Sequence, residues 1–199
     1  MTALSWTIAT AVGFALVGLI PCNREGQEVF FFGALGALPQ ALFLFVRARR
    51  RIGVAWLVVT AIAVPIAYLF AMFATLVPAQ AFRGPGELWL ILGCVVAGLT
   101  VGAAQSVALG LALRPRAALR WAAASALGGP AAGAFLLTII GLLVIGNDGQ
   151  ASPTSITPGY DWGCSPSIPR PVLGLLFGAV YGAITGAVLE RCLRVNRSA

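Results

Sequence analysis

The sequence predicts an all-α integral membrane protein: six transmembrane helices built as three tandem helical hairpins, pseudo-threefold, with both termini cytoplasmic. Three observations carry this prediction. The chain holds six long apolar blocks free of charge, its arginines gather on one side of those blocks, and a helix–turn–helix pattern occurs twice.

The blocks come first. The 199-residue chain is 59% hydrophobic and 10% charged, with a mean hydropathy of +0.93. A soluble domain usually carries about 25% charged residues, so this chain has too few to solvate a surface. Ala3–Ile20, Val29–Val46, Gly53–Val77, Leu88–Leu113, Trp121–Ile145 and Val172–Leu189 each run 18 to 26 residues without Asp, Glu, Lys or Arg. A spanning helix needs roughly 20 apolar residues. The first block is read as a retained helix and not as a signal peptide, since it lacks a basic start and GLIPC places Pro21 where a cleavage site needs a small residue. All 199 residues then form one transmembrane domain, with hairpin units at about 3–46, 53–113 and 121–193.

Charge sets the orientation. The formal net charge is +7, which raises the question of nucleic acid, but the distribution of charge argues for a membrane. Arg47, Arg49, Arg50 and Arg51 lie between the second and third blocks, Arg114, Arg116 and Arg120 between the fourth and fifth, and Arg191, Arg194 and Arg197 after the sixth. The other side has only Arg24, Arg83 and Arg170, set among Glu25, Glu28, Glu87, Asp148 and Asp161. By the positive-inside rule the arginine-rich side is cytoplasmic. Its expected partners are anionic lipid headgroups or an acidic membrane-protein partner. Homo-oligomer contacts are a further expectation, and nucleic acid is not.

The repeat appears when Gly33–Ala67 is set against Gly98–Ala132 without gaps. Gly33/Gly98, Gln40/Gln105, Arg49/Arg114, Arg51/Arg116, Trp56/Trp121 and Pro65/Pro130 coincide. Helices 3 and 5 open with W-x3-[TS]-A, and helix 1 does the same at Trp6, Thr10 and Ala11. Gly178 of helix 6 occupies the place of Gly33 and Gly98, which makes the repeat threefold. The two prolines should bend helices 3 and 5.

The even-numbered helices carry stripes of small residues. Gly174, Gly178, Gly182 and Gly186 are spaced by four, and helix 4 offers Gly98, Gly102, Ser106 and Gly110. Such stripes let backbones approach closely in lipid, where van der Waals contact holds a bundle together. Helices 2, 4 and 6 are therefore expected at the tight centre.

Candidates for chemistry are few. Gln40 and Gln105 are the most polar side chains inside any span, and Thr185 takes their place in the third unit. They form either a polar ring along a solute path or a set of interhelical hydrogen bonds worth about 0.6–2 kcal/mol each. Trp6, Trp56 and Trp121, at cytoplasmic helix starts, read as an aromatic belt. Cys22 and Cys164 fall in outer loops and are a candidate disulfide tying the first outer loop to the last. The outer loop 146–171 is rich in Pro, Gly and Ser. The chain contains no His, no acid within a span and no Cys-x2-Cys pair. No catalytic residue, metal or cofactor is expected, and an enzyme is disfavoured.

The Gly-rich helix followed by Q…R-x-R…W, twice over, resembles small multi-pass bacterial membrane proteins, and that resemblance implies no activity. Three two-helix units are also similar in plan to mitochondrial carriers, whose P-x-[DE]-x-x-[KR] motif is absent here. The expected function is a non-catalytic subunit or scaffold of a membrane assembly. The alternative is a small permease or channel for a neutral or lipid-like solute.

Overall fold

A computed structural model describes residues 3–20, 29–47, 50–81, 86–110, 115–148 and 169–197. These form six α-helices: α1 (Ala3–Gly18), α2 (Val29–Arg47), α3 (Arg50–Ala81), α4 (Gly86–Gly110), α5 (Pro115–Asp148) and α6 (Arg170–Arg197). Among the described residues, three segments are long and apolar enough to cross a membrane: Arg50–Leu76, Ile91–Gly110 and Arg170–Cys192. Ala3–Gly18 and Phe32–Arg47 are shorter apolar helices. Helix α3 continues through Pro65, and α5 continues through Pro130. Helix α5 runs on to Asp148 and α6 begins at Arg170, so these helices overlap the two ends of the expected outer loop at 146–171.

Large apolar side chains cover the outside of the bundle, while several polar side chains lie among its apolar core. On α1, Leu4, Ile8 and Val12 are exposed at helical spacing, as are Val54, Val58, Ile62 and Ile66 on α3. The buried set holds Thr10, Gln40, Thr60, Gln105, Ser125 and Thr185. An apolar exterior around a hydrogen-bonded interior is what hydrocarbon solvent requires, since polar groups must find partners within the protein.

Each helix packs on the next in chain order, and α6 returns to α1, so the bundle closes on itself. The α1–α6 contact is the most extensive. These two helices are antiparallel and are fastened at both ends. Glu190 Oε2 accepts a hydrogen bond from Ala3 N at 3.0 Å, and Arg170 Nη1 donates to Ile20 O at 2.6 Å. A carboxylate at a helix N-terminus and a guanidinium at its C-terminus each meet unsatisfied backbone groups and oppose the helix dipole favourably.

The expectation that α2, α4 and α6 form the centre is corrected. Among the described residues these three helices share no extensive contact with one another. Their glycines face sideways onto neighbouring odd helices: Gly33 onto α3, Gly98 and Gly102 onto α5, Gly174, Gly178, Gly182 and Gly186 onto α1, with Gly36 facing α1 and Gly93 facing α3. The middle of the bundle is instead filled by indoles from α1, α3 and α5, joined by Leu44, Leu109 and Leu189 from the even helices.

Candidate functional site

The tryptophans build the core of the candidate site. Trp6, Trp56 and Trp121 are 1%, 0% and 1% exposed, so they do not form the aromatic belt expected of them. All three rings touch one another edge to face. The centroids are 5.4 Å apart for Trp6–Trp56, 5.5 Å for Trp6–Trp121 and 5.2 Å for Trp56–Trp121. Edge-to-face contact sets the positive ring edge against the negative face, worth about 0.5–1.5 kcal/mol per pair beyond burial. Phe43 adds a fourth edge contact to Trp6 at 5.9 Å.

A buried indole N–H needs an acceptor, and the even helices supply one in each case. Trp56 Nε1 donates to Gln40 Oε1 at 3.0 Å, Trp121 Nε1 to Gln105 Oε1 at 3.2 Å, and Trp6 Nε1 to Thr185 Oγ1 at 3.1 Å. The carboxamides have a second role. Gln40 Nε2 donates to Thr10 Oγ1 and Gln105 Nε2 to Thr60 Oγ1, both at 3.0 Å. Each glutamine therefore fastens the odd helix after it, through tryptophan, and the odd helix before it, through threonine. Thr10 and Thr185 also donate back to the carbonyls of Trp6 and Tyr181.

The third joint differs. Thr185 receives the Trp6 indole but is too short to reach across to α5, where Ser125 occupies the place of Thr10 and Thr60. Ser125 is fully buried and its Oγ has no hydrogen bond of good geometry. The Tyr181 hydroxyl on α6 interacts with it electrostatically, short of that geometry. Tyr181 also lies against Gly128 of α5, with Cδ2 3.1 Å from where a Cβ would stand.

The glycines fix the approach that makes these bonds reachable. A Cβ on Gly33 would stand 2.8 Å from Thr60 O, one on Gly98 would stand 2.6 Å from Ser125 O, and one on Gly178 would stand 2.9 Å from Thr10 O. The three contacts fall on the same residue of the W-x3-[TS] motif. Gly102 likewise faces Ala122 and Ser125, and Gly182 faces Thr7 and Thr10. Gly174 meets the Phe14 carbonyl, and Gly186 meets Ala3 and the Trp6 ring.

The other predicted residues lie apart from this core. Gln40, Gln105 and Thr185 do not bond to one another, being separated by the indoles. Arg47, Arg50, Arg51, Arg116 and Arg120 are exposed at the helix ends nearest the tryptophans. Arg50 covers the Phe45 ring at 5.4 Å. Arg49, Arg114, Cys22 and Cys164 lie outside the described residues, as does most of the loop 146–171. Among the described residues no group of His, Cys, Asp or Glu is placed to hold a metal ion. Sequence reasoning missed the leucines. Leu44, Leu109 and Leu189, each four residues after Gln40, Gln105 or Thr185, are 1–2% exposed. It also missed the Glu190 and Arg170 clamps.

No protein-family model, curated protein or solved structure matches the chain.

Proposed function

We propose that this chain is a six-span membrane protein with both termini cytoplasmic, built from three two-helix units about a pseudo-threefold axis. Its role in this reading is that of a non-catalytic scaffold or subunit of a membrane assembly. The carrying observation is the tryptophan triad: three fully buried indoles in mutual contact fill the axis, and their N–H groups consume the polar side chains that could have lined a path. A protein whose interior is closed in this way acts through its surface.

Two parts of that surface are suited to contact. The apolar flanks meet acyl chains or partner helices. The basic end meets anionic groups, and there Arg50 and Arg51 stand at the head of an open apolar face of α3 formed by Val54, Ala55, Val58 and Val59. Guanidinium groups above an apolar helix face fit an anionic phospholipid, with phosphate at the arginines and an acyl chain along the face.

Replacing Gln40 and Gln105 together by Leu separates the scaffold from the permease. The scaffold reading expects a less stable protein with unchanged solute permeability in proteoliposomes. A specific flux that disappears in a folded double variant would overturn it.

A further inference from the structure

The three units differ most at one joint, and the difference has a direction. Across α1–α2 the joint is latched by Gln40–Thr10, and across α3–α4 by Gln105–Thr60. Across α5–α6 the carboxamide is missing: Thr185 stands where the other joints have glutamine, and Ser125, in the place of Thr10 and Thr60, faces the Tyr181 hydroxyl instead. Ser125 Oγ is left buried without a good hydrogen bond.

A second set of positions points the same way. Seven residues after each tryptophan stand Gly13, Ala63 and Gly128, and three residues after Gly33, Gly98 and Gly178 stand Gly36, Val101 and Tyr181. At the first joint Gly13 meets the Gly36 backbone directly. At the third, the Tyr181 ring is wedged against Gly128. The α5–α6 seam therefore has a large flat side chain where the first joint has backbone contact, and a weak Tyr181–Ser125 hydroxyl contact where the other two have a carboxamide bridge.

From these positions we propose that the α5–α6 seam is the joint at which the closed bundle opens laterally toward the bilayer, with Tyr181 as its movable wedge. The other two joints stay shut. This proposal rests on the threefold correspondence stated above, and the test separates the two.

Nitroxide labels coupled to a genetically encoded ketone side chain leave the native cysteines untouched. One pair replaces Ile62 and Ala103 across α3–α4, the other Leu127 and Ala183 across α5–α6. All four are exposed, outward positions at matching places in the repeat. In lipid discs, double electron–electron resonance is expected to give one narrow distance for 62/103 and a broad or two-component distribution for 127/183. The paired change Tyr181→Val and Thr185→Gln, which gives α6 the residues of α4, should remove the longer component. A 127/183 distribution as narrow as 62/103 in the unaltered protein overturns the proposal even if the paired variant does not fold. Broad distributions at both seams would overturn the proposal, since opening would not be confined to α5–α6, whereas clearly unequal closed-state distances for the two pairs would remove the threefold correspondence on which it rests.

Discussion

Trp121 donates its indole N–H to Gln105 sixteen residues earlier, and Trp56 does the same to Gln40 across the same separation. Both bonds cross between two helices joined by a short arginine turn. The equal spacing of glutamine and tryptophan places the same indole–carboxamide bond between α2 and α3 and between α4 and α5.

The first prediction concerns that bond. In a double-mutant cycle, Gln40→Leu and Trp56→Phe should couple by about 0.6–1.7 kcal/mol, the range of interhelical hydrogen bonds in membrane proteins. Gln40→Leu with Trp121→Phe should couple more weakly, since Trp121 is bonded to Gln105. Unfolding in mixed micelles by titrated denaturing detergent measures both cycles. Equal coupling in the two would mean that the pairing described here is wrong.

The second concerns the glycine contacts. Gly33→Ala, Gly98→Ala and Gly178→Ala each drive a methyl group into backbone that has no rotamer to move. Each should destabilise by about 1–3 kcal/mol, the usual cost of overpacking. Gly110→Ala, with nothing within 4 Å of the added carbon, should be neutral or slightly stabilising. The four variants are compared in the same unfolding assay, and a loss at Gly110 matching that at Gly98 would count against packing as the cause.

The third concerns the closure of α6 on α1. Arg170→Gln should weaken the clamp at the C-terminal end of α1 and Glu190→Ala the clamp at its N-terminus, each by about 0.5–2 kcal/mol as for a lost helix cap. The expected readout is faster proteolysis near the ends of α1, with α3 and α4 unaffected. Uniform loss of protection along the chain would show that the clamps are not local.

The fourth concerns the triad. Trp6→Ala should cost about 3–5 kcal/mol, as for other large core truncations, and should shift the emission of the remaining tryptophans to longer wavelength as water reaches them. Trp6→Phe should keep most of the stability while freeing Thr185 of its indole donor. A near-neutral Trp6→Ala would place that ring outside the core.

Much of this was legible in the sequence, and the misreadings have physical causes. Gln40 and Gln105 stood out because amides are rare in apolar blocks. The W-x3-[TS]-A motif was visible too, but its meaning was not. A tryptophan at a helix start looks the same in sequence whether it turns outward to the membrane interface or inward to an axis. The phase settles the matter: Trp6 and Thr10 lie one turn apart on the same face, and the face that carries Thr10 is buried. The glycine stripes were found but aimed at the centre, because a stripe specifies close approach without naming the neighbour. Leu44, Leu109 and Leu189 were hidden by the abundance of leucine around them. Glu190 was hidden by its place after the last apolar block, where an acid reads as ordinary solvent-facing charge.

The most direct test of the scaffold reading is extraction into lipid discs without detergent, followed by native mass spectrometry. The account predicts a stoichiometric protein partner, with anionic phospholipid retained and lost when Arg50 and Arg51 are replaced by Gln. A lone protein holding a defined small solute, and no partner, would contradict it and make transport the better reading.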